Sequence, residues 1–144
     1  EAVDVLIVNE GELAAIAGHP GLPLAGTLAL IDVPCVIVTL GARGCLARVR
    51  GDIFLQPSFP VEAQDTTAAG DTFCGVLTAA LSRADALPAA LRCASAAAAL
   101  ACTRLGAQAS IPTQAEVDAF LQAQPMPADA HQGHAGLAAR SNSL

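Results

Sequence analysis

Tryptophan and tyrosine are missing from this sequence, and phenylalanine occurs only four times. A surface that stacks nucleic-acid bases needs aromatic platforms among Lys and Arg. With 7 basic residues against 13 acidic ones, and no basic cluster, the composition argues against a nucleic-acid partner. Charge of either sign is sparse at 14%, yet no apolar run approaches the ~20 residues of a membrane span. With 53% hydrophobic residues the chain is too apolar for intrinsic disorder. No C-x-x-C spacing occurs. The five cysteines, Cys35, Cys45, Cys74, Cys93 and Cys102, are odd in number and sit in apolar segments, which reads as buried reduced thiols in a cytoplasmic setting. No charged n-region precedes an apolar h-region at the start, so no signal peptide is read there. What is left is small-molecule chemistry on a soluble domain, since 144 residues suffice to hide roughly two-thirds of the unfolded surface.

Periodicity gives the order of elements. "VDVLIVNE" reads as a buried strand over residues 3–8, and "EGELAAIAG" as a helix closed by Gly18. A second strand over residues 35–40 runs into a glycine turn, after which "CLARVRGDIFLQ" alternates as a hairpin turning at Gly51-Asp52, so the sheet is expected to be mixed. Phe73, Val76, Leu77, Ala80 and Leu81 follow helical spacing in a helix expected over residues 69–83. Pro88 suits the first turn of an alanine-rich helix ended by Gly106, and Thr113 with Glu116 forms a capping box for a last helix. From residue 124 the periodicity fades into Pro, Gly, Ala and Ser, which divides the chain into a domain over 1–123 and a flexible tail over 124–144.

Three segments would meet where parallel strands end, which is where ligands sit in open α/β sheets. "NEGE" brings Asn9 and Glu12, which could organise a metal, its water or a phosphate, or simply start a helix. "TLGARG", Thr39 to Gly44, has two glycines three apart that let backbone N–H groups approach a phosphate, or make a plain turn. In "QDTTAAGDTFCG" small residues lead into a helix whose first N–H groups, at Ala69, Gly70 and Asp71, could form an anion hole. Asp71 is there either as a carboxylate favoured by the helix dipole or as a general base beside a phosphoryl group.

At this point "DTTAAGDTFCG" resembles the D-T-x-x-A-G-D-x-F-x-G signature of the ribokinase-like (PfkB) carbohydrate kinases. N-x-x-E, T-L-G-x-x-G, the A-G-D box and an alanine-rich helix ending "TRLGAQASIP" come in that family's order over residues 3–121. A-A-G-D and "GAQASIP" look most like its ribokinase branch. The resemblance implies an α/β, ribokinase-like Rossmann-type layered fold, of which this chain would be the C-terminal nucleotide-binding half. It implies an ATP-dependent kinase acting on a primary hydroxyl of a pentose, ribose in the first instance, or on another sugar or nucleoside. By the same carry-over Asp71 is the base and Ala69, Gly70 and Asp71 hold the phosphate. Asn9 and Glu12 help place ATP phosphates and Mg²⁺, the latter indirectly through Glu12. Thr39, Leu40, Gly41, Ala42, Arg43 and Gly44 line the nucleotide, and Ser95 approaches the adenine. A monovalent cation, K⁺, falls to Asp65, Thr67, Ala101, Arg104, Gly106 and Ser110, mostly through main-chain oxygens. Asp65 has a second reading from its own residues, an Asx turn with Thr66 and Thr67. Cys74 stands where many members have Asn. The family's N-terminal half, with most of the sugar-binding side chains, has no counterpart here, and the sheet would be left with an apolar edge that a homodimer could cover. A non-catalytic remnant, kept for binding or assembly, is the alternative.

Overall fold

The computed structural model describes residues 3–106 and 111–125. Two β-branched runs make the strands that carry the site, β1 (Val5–Asn9) and β2 (Cys35–Thr39), which pair in parallel with Asn9 beside Thr39 at their carboxyl ends. Between them lie α1 (Glu10–Ala17) and α2 (Leu24–Ala29). Gly18 stops α1 in the left-handed region at φ 69°, where glycine carries no Cβ penalty. The hairpin of β3 (Cys45–Val49) and β4 (Asp52–Gln56) continues the sheet antiparallel in the order β1-β2-β3-β4, so the expected mixed sheet is present. Its turn lies at Arg50-Gly51 rather than Gly51-Asp52. Val49 pairs with Asp52, and Arg50 takes the left-handed φ of 57° that glycine was expected to take.

The remaining helices are α3 (Ala69–Ser82), α4 (Leu87–Cys102) and α5 (Gln114–Gln122). The helix α4 ends at Cys102, four residues before Gly106; Thr103 and Arg104 close it with bonds to the Leu100 and Ala101 carbonyls. The expected capping box of α5 is formed, with Glu116 N–H donating to Thr113 and Thr113 N–H to Glu116. Three layers result. On one sheet face Ile37, Cys45 and Ala47 meet Phe73 and Leu77 of α3 and Leu91 of α4. On the other, Val8, Val36 and Val38 meet Leu13 of α1 and Leu28 of α2. Each fully buried leucine contributes roughly 1.5–3 kcal/mol, and Ala90 and Ala94 let α3 and α4 pack closely because they add so little volume.

One expectation changes. Only Cys45 is a buried thiol; the other four cysteines are partly exposed, Cys35 and Cys74 packing at the edge of the core around Phe73 and Leu77 and Cys102 lining the cleft. The short helix α2 carries no capping side chain and follows two prolines, and its C-terminal end is held by Arg48, which donates to the Leu28, Ile31 and Val33 carbonyls at 2.8–2.9 Å. Ser110, and the tail from residue 126, lie outside the described residues. Among the described residues no helix is long and apolar enough to cross a membrane.

Candidate nucleotide-binding cleft

A cleft of about 670 Å³ opens at the carboxyl ends of β1 and β2. That is within the usual range of small-ligand sites. Asn9, Thr39, Gly41, Ala42 and Gly44 line one side, Ala69 and Gly70 another, and Ser95 the floor. Eight of the expected positions therefore share one space. Glu12, Leu40, Arg43, Asp65, Thr67, Asp71, Ala101, Arg104 and Gly106 do not line it.

The strand-to-helix step at Asn9 is fixed by reciprocal bonds. Asn9 Oδ1 accepts from Glu12 N–H at 2.8 Å and Glu12 Oε2 accepts from Asn9 N–H at 2.9 Å. The ordinary helix-start reading of this pair is thus realised, and one Glu12 carboxylate oxygen remains for a ligand. The turn after β2 is a single 3-10 turn, Gly41–Arg43, closed by Leu40 N–H to Gly44 O at 2.8 Å. Gly41 and Gly44 both have left-handed φ, 58° and 98°. Arg43 points away from the cleft into an exposed ion pair with Glu10.

At the start of α3, no side chain among the described residues caps the helix. Ala69 N–H donates to Thr66 O at 3.2 Å and Thr72 N–H to Ala68 O at 2.9 Å. The Gly70 and Asp71 N–H groups have no hydrogen-bond partner among the described residues. Two amides rather than the expected three are free, because the tight turn from Thr66 uses the first. A Cβ on Gly70 would meet nothing within 4 Å, and its backbone is not left-handed. Neither packing nor conformation among the described residues requires that glycine, which lines the cleft. Asp71 is exposed in the first turn, where the helix dipole favours its charge. Its carboxylate and that of Glu12 both help raise the Cys74 thiol, after the larger effect of burial, so the two acids share one neighbourhood.

Asp65 Oδ1 accepts from Thr67 N–H at 2.9 Å and Thr67 Oγ1 at 2.5 Å, the Asx-turn arrangement, and these bonds hold the carboxyl below its ordinary range. The Gly106 N–H adds to that lowering, which brings two of the expected cation positions together. The Cys102 carbonyl accepts from Gln64 and Asp65 N–H at 2.7 and 3.1 Å, tying this loop to the end of α4. Arg104 turns its guanidinium to Glu116, leaving only its main chain for a cation. Among the described residues no three His, Cys, Asp or Glu side chains form a metal cluster. One or two carboxylates suit Mg²⁺ brought in with phosphates, since Mg²⁺ keeps its waters and needs few protein oxygens.

The wall that sequence reading missed is the segment Ser58 to Val61 with Ala63. Ser58 Oγ donates to the Ala42 carbonyl, and Phe59 is held between Arg92, 5.1 Å from its ring centre, and Phe120, edge-on at 5.4 Å. Phe73, Ala98, Ala99 and Cys102 complete an apolar surface. Ser95, 7% exposed, is its polar exception, with Oγ 3.8 Å from Cys45 Sγ. Nothing in a proline-rich stretch such as "QPSFPV" marked it as a wall.

A profile described as pfkB family carbohydrate kinase matches residues 1–114. The chain belongs to this family. Within it, the chain is 36% identical over 126 residues to a ribokinase of Haemophilus influenzae, covering 83% of this chain and 41% of that one. Among solved pfkB-type structures it is similar to an Arabidopsis thaliana ribokinase complexed with ribose and ATP (31% identity, TM-score 0.75, 83% of this chain and 41% of that one). A Vibrio cholerae fructokinase bound to fructose, ADP and calcium ion is comparably similar (34%, TM-score 0.75, 83% and 41%). The chain thus spans about two-fifths of the length of these relatives. The fold expected from the resemblance, a ribokinase-like α/β layered fold, is the fold observed.

Proposed function

We propose that this chain is the nucleotide-binding half of an ATP-dependent sugar kinase that transfers the γ-phosphoryl group to a primary hydroxyl of a pentose, with ribose as the first candidate. The observation that carries it is the start of α3, where the Gly70 and Asp71 amides have no partner among the described residues and Gly70, with no atom within 4 Å of an added Cβ, lines the cleft. Such amides and the helix dipole favour a phosphoryl group in flight, whose charge grows on its outer oxygens. Asp71 then accepts the proton of the attacking hydroxyl while the new O–P bond forms and the bond to the ADP oxygen breaks.

Asn9 and the free oxygen of Glu12 would hold Mg²⁺ with its water at the phosphate end. Thr39 to Gly44 lie along the nucleotide, and the apolar wall with Ser95 receives the base. Asp65, with Thr67, Gly106 and the end of α4, is the candidate seat for K⁺, which would order the loop into α3. Bound there, both metals would supply positive charge beside the phosphates. Ribose is favoured over fructose by the A-A-G-D box and not by any side chain of this cleft, because the groups that would read the sugar are not among these residues. The same reading makes the isolated chain a weak nucleotide binder with negligible ribose-kinase activity.

The test is a chimera that joins residues 1–125 to the N-terminal part of the Haemophilus influenzae ribokinase. Potassium-stimulated phosphorylation of ribose that falls by about 10²–10⁴-fold in Asp71→Asn, with nucleotide binding retained, is the expected result. Activity unchanged in Asp71→Asn would overturn the assignment of the base. No nucleotide binding at millimolar concentration, in the folded chimera, would favour a remnant kept for assembly.

A further inference from the structure

We propose that the edge strand β4 pairs antiparallel with β4 of a second copy of this chain, about a twofold axis at Phe54. The hydrogen-bond parity of the sheet fixes which groups are open. Arg50 N–H donates to Pro34 O and Leu40 N–H to Gly44 O, so the even residues of β3 and its ends bond to the β2 side and the odd ones to β4. Val49, Ala47 and Cys45 therefore bond to Asp52, Phe54 and Gln56, and the outward N–H and C=O groups of β4 belong to Ile53 and Leu55.

The same two residues carry exposed apolar side chains. Ile53 and Leu55 pair with Arg48 and Leu46, which puts them on the sheet face that α1 and α2 cover over β1 and β2. The described helices do not reach β4 on that face, and Ile53 and Leu55 are 52% and 69% exposed. Natural edge strands are usually blunted by proline, a bulge or a basic side chain. This strand has none of them: its register to β3 is unbroken, and Asp52 is its only charge.

A twofold axis at Phe54 makes the strand complementary to itself. Ile53 falls opposite Leu55 of the other copy, twice, and each such pair exchanges two main-chain hydrogen bonds. Asp52 falls opposite Gln56, so the two negative charges are kept apart and each meets an amide. The ladder stays antiparallel, continuing β3 and β4, and the isologous contact closes at two copies. A five-residue strand is small beside a standard interface of roughly 1,600 Å², so the dimer is weak, in the micromolar range or above.

Sedimentation equilibrium of the 144-residue chain tests this. The expected result is a monomer–dimer equilibrium up to about 0.5 mM, shifted to monomer by at least tenfold in Leu55→Lys. The double variant Ile53→Glu, Leu55→Lys sets Glu opposite Lys twice in this register and restores the dimer, with salt weakening it. Both sites are exposed, so folding is retained, as far-UV circular dichroism checks. Should Leu55→Lys lose its melting transition, Leu55→Thr, which keeps strand propensity, gives the same reading. A chain that stays monomeric, assembles beyond two, dimerises equally well as Leu55→Lys, or is not restored by the double variant overturns the proposal.

Discussion

A side-chain carbon built on Gly44 would stand 2.0 Å from the Gln56 carbonyl oxygen and 2.6 Å from the Ser58 nitrogen. The glycine turn after β2 is thus pressed against the segment that forms the cleft wall, at a φ of 98°. Gly44→Ala is expected to cost about 2–4 kcal/mol, as overpacking adds to backbone strain. Gly41→Ala meets no atom within 4 Å and carries only the left-handed penalty, about 1 kcal/mol. Urea melts of the two variants check the difference.

Arg48 holds α2 in place. Its guanidinium donates to three carbonyls from Leu28 to Val33, while its Nε is buried with no hydrogen-bond partner among the described residues. Arg48→Met strands those carbonyls and is expected to lower stability by about 2–4 kcal/mol. Hydrogen exchange should rise first in residues 24–33. An unchanged melt would show that α2 packs without it.

Glu116 titrates low. The hydrogen bonds from Arg104, then from the Thr113 amide, bring its pKa from 4.5 to about 2. A depressed carboxyl stabilises the fold above its unfolded pKa and stops doing so as pH falls through the folded one. The wild-type advantage over Glu116→Gln in melting temperature is therefore expected in full above about pH 5 and to fade toward pH 2. A difference that is constant with pH would count against the ion pair.

The order of elements was legible because most carry their own local signal. Gly18 and the Thr113–Glu116 capping box mark helix ends, and the alternating run from Cys45 to Gln56 marks a hairpin. Where signals were borrowed from elsewhere in the chain, reading failed. The helix α2 depends on Arg48 from β3, and Phe59 becomes part of a wall only through Arg92 and Phe120. In the cleft, the motif glycines and Asn9 pointed to the right place. The helix-start reading of Asn9 with Glu12 and the Asx-turn reading of Asp65 with Thr67 were both open in the sequence and are formed, whereas the commitment of Arg43 to Glu10 is a three-dimensional fact that no spacing states.

Gly70 separates ligand binding from stability. Its backbone is ordinary and its missing Cβ faces open space, so Gly70→Ala is expected to leave the fold as stable or up to about 1 kcal/mol more so. The added methyl stands where a phosphate would approach the amides. Nucleotide affinity is expected to fall about tenfold or more, read by calorimetry on the chimera.

The seat of the phosphate at α3 is the central claim, and amide NMR of the chain titrated with Mg²⁺-ATP in K⁺ buffer tests it most directly. The Gly70 and Asp71 backbone resonances should shift downfield and saturate together, with Thr39 to Gly44 moving at the same concentrations. Saturable shifts elsewhere, with the Gly70 and Asp71 amides unmoved, would contradict it.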